Sequence, residues 1–228
     1  MALKLFIGNK TYSSWSLRPW LALSAAGLTF EEQVVPLDCE EFITTLAPFR
    51  AHGAPGRVPM LVDGDVIVWE SLAIIDYAAE RYRDLAFWPE DPRARAMARS
   101  VATEMHSSFS SLRGELAMNL ARPPEARAIS PGAQADVARI QSIWTYARAH
   151  FGAAGPFLFG DFSAADAMFA PVATRLRTYQ VPLDPVSAAY VDAIYAQPDF
   201  VRWHAAALAE DWVVAKDEVD WPVVKRAR

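Results

Sequence analysis

The sequence predicts an α/β N-terminal domain with the element order βαβ-α-ββα, followed by an all-helical C-terminal domain. Three observations predict this. β-rich runs alternate with helical segments only in the first ninety or so residues, an Asp-Gly turn joins two of those runs, and beyond Pro89 prolines separate long alanine-rich segments. We expect residues 1–84 to form the first domain, residues 85–91 a linker and residues 92–228 the second domain.

The first three elements form a strand-helix-strand unit. Leu3–Ile7 is an apolar run closed by a glycine, Trp15–Ala26 has a helical pattern that stops at Gly27, and Glu31–Leu37 is a second strand. Two strands joined by one helix within about 35 residues are expected to be parallel.

A hairpin and a helix complete the first domain. After a short helix, the runs Val58–Val62 and Val66–Trp69 flank the turn residues Asp63 and Gly64. This pattern predicts an antiparallel hairpin. Ser71–Arg83 follows as a helix.

The second domain is predicted from apolar residues at steps of three and four. Met97, Val101, Met105, Leu112 and Leu116 predict one helix over Asp91–Leu120. The same spacing predicts further helices over Val137–Phe151, Ala164–Thr178, Ala188–Ala196 and Phe200–Ala209.

Composition excludes several classes of protein. The net charge is −5 and the one basic cluster, residues 225–228, is expected to be a solvated tail, so we expect no nucleic-acid partner. The single cysteine, Cys39, cannot form an internal disulfide, which favours a reducing, cytoplasmic location. No apolar stretch approaches the ~18 residues of a membrane helix, so no membrane partner is expected. The four histidines have no metal-ligand spacing, so we expect no metal.

The segment around Ser13 and Ser14 is the first candidate site. Proline is tolerated in the first turn of a helix, so Pro19 places the helix start near Trp15–Arg18, with Ser16 as its N-cap. Ser13 and Ser14 would then precede a helix N-terminus, where a hydroxyl can donate to a thiolate. The segment holds no cysteine, so the thiol would come with a ligand. The alternative is that all three serines are only turn and cap residues.

A second candidate site combines Val58-Pro59 with Glu70-Ser71. A proline at the start of a strand is compatible with an edge position or a cis bond, which would expose the Val58 backbone to an extended peptide ligand. Ser71 at a helix start can hold a carboxylate, and Glu70 can pair with an ammonium group. Together they would recognise an amino-acid end; the alternative is a simple Ser N-cap after an exposed Glu.

Ser163 and Asp166 have the spacing of a capping box, with Asp in place of the usual Glu or Gln. We interpret this pair as structural, at the start of a helix inside the C-terminal domain.

Together, the order and spacing of these motifs resemble the cytosolic glutathione transferases over nearly the whole chain. The segment from Tyr12 to Leu23 is most similar to the serine-type zeta class, the maleylacetoacetate isomerases. The resemblance implies a thioredoxin-like N-terminal domain, a homodimer, and glutathione as co-substrate.

The resemblance also implies roles for single residues. Ser13 or Ser14, with Ser13 preferred, matches the serine that activates the glutathione thiol, and Tyr12 is the alternative donor. Val58 and the cis-proline Pro59 match the cysteinyl-binding position, and Glu70 and Ser71 match the γ-glutamyl-binding pair. The glycyl carboxylate would be met by Arg57 or His52.

The electrophile is expected between the two domains. Candidate residues are Tyr12, Met105, His106, Phe109, Arg175 and Arg177, and two arginines could recognise a dianionic acid. Trp15 stands where the zeta class has cysteine, and no glutamine precedes Val58-Pro59. Three functions therefore stay open: conjugation of a small electrophile, glutathione-dependent cis-trans isomerisation, or a non-catalytic module that binds glutathione or a protein.

Overall fold

The computed structural model describes residues 3–226. Its N-terminal part contains four strands, three α-helices and a 3-10 helix at Ala47–His52. These are β1 (Lys4–Ile7), α1 (Ser14–Ala25), β2 (Glu31–Val34), α2 (Glu40–Leu46), β3 (Met60–Asp63), β4 (Val66–Trp69) and α3 (Ser71–Arg81).

The four strands form one mixed sheet in the order β2-β1-β3-β4. β1 pairs with β2 in parallel, as the strand-helix-strand unit predicts, while β3 pairs antiparallel with both β1 and β4. The apolar residues of β1 are buried, and α1 and α3 pack against each other beside the sheet. The predicted α/β, thioredoxin-like N-terminal fold is confirmed.

The C-terminal part is helical, as predicted. Its helices are α4 (Pro92–Ser107), α5 (Ser110–Glu115), α6 (Pro131–Phe151), α7 (Ala164–Thr178), α8 (Pro185–Ala196) and α9 (Pro198–Leu208). Four of them begin with proline at the first position, where no N–H is needed, and follow a side chain that caps the helix: Asp91, Ser130, Asp184 and Gln197.

The predicted single helix Asp91–Leu120 is wrong. Helix α4 ends at Ser107 because Phe109 adopts a left-handed backbone with φ of +62°, and a separate short helix follows. The Arg113 guanidinium donates to the carbonyl oxygens of His106 and Ser108 across this break. The spacing of apolar residues continues through the break because both helices face the same core, so the sequence pattern does not reveal the break.

Helix α7 occupies the centre of the core and packs against α1, so buried apolar residues from both parts form one large cluster; a second, smaller cluster around Phe6 and Met60 belongs to the N-terminal part alone. The predicted capping box starts this helix. Buried Asp166 accepts hydrogen bonds from the Leu158 and Ser163 backbones and from the Ser163 and Tyr190 hydroxyls, at 2.8–3.1 Å. The carbonyl of Phe87, within the predicted linker, accepts from the Ala164 amide and ties the linker to the same helix start.

Residues 209–226 follow α9 and return to the N-terminal part; we call them the C-terminal strap. Lys216 forms an ion pair with Asp38 at 2.8 Å, and buried Glu218 accepts a hydrogen bond from Tyr12. The basic tail is less free than predicted, because Lys225 pairs with Glu125 and Asp220. Residues 227 and 228 of that predicted tail lie outside the described residues. No helix within residues 3–226 is long and apolar enough to cross a membrane.

Candidate active site

The serine loop, residues 9–13, connects β1 to α1 and carries the first candidate residues. The N-cap of α1 is Ser13, not Ser16 as predicted: the Ser13 oxygen accepts from the Ser16 amide at 3.4 Å. Pro19 therefore lies in the second turn. The carbonyl that it leaves without a helical partner, that of Trp15, accepts the Ser71 hydroxyl at 2.7 Å, which explains why the proline is tolerated there.

The two serines have different hydrogen bonds. Ser13 is buried, and its hydroxyl donates to the Ser16 oxygen in the first turn of α1 at 2.8 Å. The Ser13 proton is therefore not available to a ligand. Ser14 is half-buried, and its oxygen accepts a hydrogen bond from Arg175 at 3.2 Å. An arginine can only donate, so the Ser14 proton must point to another acceptor.

Tyr12 lines the same cleft, but its proton is also used. The phenol donates to Glu218 at 2.6 Å, and Asn119 donates to the same carboxylate oxygen at 2.9 Å. Burial, and next the hydrogen bond to Glu218, raise the pKa of the Tyr12 phenol well above its ordinary value. Tyr12 is therefore a poor donor to a thiolate.

Two adjoining cavities lie beside the start of α1. The larger, a cleft of about 660 Å³ between the two parts of the chain, is lined by the serine loop, α5, Arg175 and the C-terminal strap. The smaller, of about 160 Å³, lies between Pro59 and Glu70. Trp15, Arg57 and Val58 line both cavities, so the two form one trough that can take an elongated ligand.

The small cavity has the polar groups that an amino-acid ligand needs. The Val58–Pro59 bond is cis, and the backbone of Val58 makes no hydrogen bond within the described part of the chain. Glu70 has φ of +70°, a conformation that non-glycine residues adopt at a cost of about 1–3 kcal/mol and most often at functional sites. The Ser71 hydroxyl is committed to Trp15, so at this helix start only backbone N–H groups are available to a carboxylate.

The carboxylate of Glu70 is available to a ligand cation. It lies 3.6 Å from the imidazole of His106 and is more than half exposed. Burial, and next the charge of Arg18, lower the pKa of His106, so the imidazole is neutral near pH 7. The neutral imidazole is therefore not a cationic partner for the Glu70 side chain.

Positive charge concentrates around Trp15, which lines both cavities. The indole ring of Trp15 lies between two guanidinium groups, Arg18 at 4.3 Å and Arg113 at 4.5 Å from the ring centroid. Arg175 adds a third; burial, and next the charge of Arg113, lower its pKa to about 10, so it is still charged at neutral pH. The cleft therefore favours anionic ligands.

Comparison with known proteins agrees with this geometry. Residues 12–81 match the glutathione S-transferase N-terminal domain, and residues 130–224 match the glutathione S-transferase C-terminal domain. The chain belongs to the glutathione S-transferase family.

Curated relatives match part of the chain. It is 35% identical to a probable maleylacetoacetate isomerase from Caenorhabditis elegans over 50% of this chain and 52% of that relative. The first curated relatives are matched over 52% to 61% of their length.

Solved structures confirm the fold. A zeta-class maleyl pyruvate isomerase has a TM-score of 0.68 at 24% identity, covering 92% of this chain and all of the other. Maleylacetoacetate isomerase from Anaeromyxobacter dehalogenans, which has glutathione bound in its active site, has a TM-score of 0.62 at 24% identity over 89% of this chain and 94% of the other.

Six of the predicted site residues line neither cavity. Two of them, His106 and Ser71, contact Glu70 and Trp15, which do line the small cavity. Met105 on α4 and Phe109 at the break before α5 are both buried in the core. Arg177 lies on the side of α7 away from Arg175, since two residues correspond to about 200° around a helix; it pairs with Asp192 and stacks on Tyr195. His52 is exposed on the 3-10 helix and lines neither cavity.

Sequence reasoning missed several residues of the cleft and its surroundings. Arg113, Asp38, Lys216 and Asp217 line the cleft, and nothing local to their segments indicates that they converge. Arg18 had a signal, since it is a charged residue within the apolar run Leu17–Leu23. Among residues 3–226, no three His, Cys, Asp or Glu side chains meet in a way that could hold a metal ion.

The C-terminal part fixes the serine loop in place. The Glu210 carboxylate accepts the Lys10 and Thr11 amides at 2.8 and 3.0 Å. The Thr11 hydroxyl donates to the carbonyl of Ala207, and the indole of Trp203 donates to the carbonyl of Lys10. The position of the start of α1 is therefore fixed by residues about 200 positions later in the chain.

Proposed function

We propose that this protein is a glutathione transferase that activates the glutathione thiol through Ser14 and presents the thiolate to a small electrophile. The observation that carries the proposal is the uncommitted Ser14 proton, which lies at the first residue of α1 beside the junction of the two cavities. The Ser13 and Tyr12 protons are used by Ser16 and Glu218. Ser14 therefore replaces Ser13, the residue preferred from the sequence, as the proposed donor.

The trough suits glutathione along its length. In the small cavity, Glu70 can accept the γ-glutamyl ammonium group, and the N–H groups at the start of α3 can hold its carboxylate. The free backbone of Val58 can pair with the cysteinyl residue. Arg57, which lines both cavities, is the candidate partner for the glycyl carboxylate.

The helix start and one hydroxyl are sufficient for thiol activation. A free thiol has a pKa near ~8.5, and helix N-termini lower it to between roughly 3.5 and 7.5. A decrease of ~2 units corresponds to ~2.7 kcal/mol, which a charge-assisted hydrogen bond and the helix dipole can supply together. At neutral pH a large fraction of bound glutathione would then be the thiolate.

The positive cleft favours an acidic electrophile. Arg113 is half-buried, lines the cleft and has no acidic partner among its hydrogen bonds, so it can bind a substrate carboxylate. Isomerisation fits such a substrate: the thiolate adds to a conjugated double bond, the carbonyl takes up the electron pair as an enolate, the new single bond rotates, and the carbon–sulfur bond breaks again. Conjugation stops after the addition and protonation of the enolate.

We also propose a homodimer, as the resemblance implies. Edge strand β4 is uncovered on one side within the described chain, and Val66 on it is exposed, which is consistent with a surface that meets a second copy.

Glutathione is expected to raise the thermal unfolding midpoint of the protein. At a concentration of about 100 times Kd, a ligand that binds only the folded state adds ~2.7 kcal/mol, a shift of about 5 °C or more for a chain of this size. E70Q should weaken binding roughly tenfold or more, because the ligand ammonium group loses its charged partner. Differential scanning fluorimetry measures both.

The matched control is E80Q, an exposed glutamate on the same helix but outside both cavities. It should keep the full glutathione shift. If glutathione leaves the midpoint of the unmodified protein unchanged, the transferase proposal fails and the non-catalytic alternative, without this ligand, replaces it.

The choice of electrophile is tested by replacing Arg113. We expect R113M to raise KM for maleylacetoacetate, a dianionic acid, by about tenfold or more, because a charge-assisted hydrogen bond is lost. KM for a neutral aryl halide should stay within about twofold, since the halide has no carboxylate. Steady-state kinetics with both substrates measures this difference. An equal effect on the two substrates would contradict an acid-binding role.

A further inference from the structure

Arg175 is held rigidly at the meeting point of three elements. It projects from α7; its Nε donates to the carbonyl of Leu116 at the end of α5 at 2.7 Å, and one terminal nitrogen donates to the carbonyl of Pro171 at 3.1 Å. The other terminal nitrogen donates to the hydroxyl oxygen of Ser14 at 3.2 Å. Because the guanidinium is planar, the first two bonds fix the direction of the third.

All three partners of this buried guanidinium are uncharged. The charge of Asp217, which lines the same cleft, acts on this guanidinium, but no carboxylate accepts a hydrogen bond from it. Burial of a charge without a hydrogen-bonded carboxylate costs free energy, so a merely structural residue at this place would be better apolar. The charge is instead positioned beside the serine that faces the cleft.

The bond to Arg175 also restricts the Ser14 hydroxyl. One oxygen lone pair is taken by Arg175, and the arginine cannot accept a proton. The Ser14 O–H bond must therefore point away from the guanidinium, on the side where the hydroxyl borders the cleft.

We propose that Arg175 is a positioning residue that holds the Ser14 hydroxyl as a hydrogen-bond donor to the sulfur of bound glutathione. The inference rests on the proposed function and adds a specific role to it. It replaces the expectation that Arg175 and Arg177 act as a pair on the electrophile, because those two side chains lie on different sides of α7.

The experiment measures the pKa of the thiol in bound glutathione in three variants: R175M, S14A and the double variant. The thiolate is followed by its ultraviolet absorbance as a function of pH. We expect R175M to raise that pKa by about 1 unit, which corresponds to a tenfold loss of thiolate below the pKa. The Kd for glutathione should change by less than about twofold. The double variant should match S14A alone, because Arg175 acts through Ser14.

R177M is the matched control. Arg177 lies two positions further along the same helix, pairs with Asp192 and borders neither cavity, so this variant should keep the unmodified thiol pKa. If R175M does not fold, R175K provides the test: a lysine has one ammonium group for the three acceptors, so the thiol pKa should rise in the same direction by a smaller amount.

The outcomes separate the two proposals. An unchanged thiol pKa in folded R175M or R175K, with a raised pKa in S14A, would overturn the role of Arg175 and leave the serine mechanism in place. Effects of S14A and R175M that simply add would also overturn it. An unchanged thiol pKa in S14A would instead reject the proposed function.

Discussion

Replacing Ser14 by alanine is expected to lower turnover by about 10- to 100-fold and to raise the pKa of bound glutathione by about 1–2 units. The lost interaction is a hydrogen bond to a charged sulfur, which contributes about 1.5–3 kcal/mol. The rising limb of the pH–rate profile should move to higher pH by the same amount, because activity follows the thiolate fraction. Stopped-flow absorbance and steady-state rates between pH 5 and 9 measure both.

Ser13 is the internal control for this result. Its hydroxyl caps α1 and donates to Ser16, so S13A is expected to cost ~1 kcal/mol of stability. The thiol pKa of bound glutathione should stay near its value in the unmodified protein. The opposite outcome, with the thiol pKa raised in S13A and unchanged in S14A, would contradict the assignment and restore the sequence-based preference for Ser13.

Replacing Asp166 by alanine is expected to be the most damaging single change to stability, at about 3–5 kcal/mol. Its carboxylate is fully buried and accepts four hydrogen bonds, from the backbones of Leu158 and Ser163 and from the hydroxyls of Ser163 and Tyr190. Alanine leaves these donors unpaired at the start of the central helix. Urea unfolding followed by circular dichroism gives the free energy.

D91A is the comparison for D166A. Asp91 is the N-cap of α4, whereas Asp166 is the third residue of α7; Asp91 is exposed and accepts only the Ala94 amide among the described residues. Its loss should cost ~1 kcal/mol, as an exposed N-cap does. If the two variants lose similar stability, burial of the Asp166 network is not what makes it important. If D166A yields no folded protein, D166N, which keeps one carbonyl acceptor, should still cost more than D91A.

Features that depend on neighbours in sequence could be predicted from the sequence. The capping box of Ser163 and Asp166, the hairpin around Gly64 and the parallel β1–β2 pair all follow from short-range patterns, and the structure confirms them. The predicted N-cap of α1, Ser16, is three residues too late. The prediction assumes that a proline beyond the first turn would leave a backbone carbonyl without a hydrogen-bond donor. Here Ser71, 56 positions away from Trp15, supplies that donor.

The candidate site was less predictable for the same physical reason. Arg175 and Arg177 are the same residue type on the same predicted helix. Only the packing of α7 against α1 decides which of them reaches Ser14. The sequence predicts Met105 in the cleft because its helix is expected to line the junction of the two domains, but Met105 also belongs to the apolar stripe of that helix, and this stripe faces the core. The strap residues Lys216 and Asp217 have no local motif, and their place beside the cleft is a product of tertiary folding.

The attachment of the serine loop to α9 and the strap affects when the site is completed during synthesis. The groups that fix Lys10, Thr11 and Tyr12 belong to residues 203–218. A ribosome adds about 5–20 residues per second, so the loop waits roughly 10–40 s for these partners. The nascent N-terminal sheet can form early, but it reaches the geometry needed for thiol binding only after translation has passed Glu218.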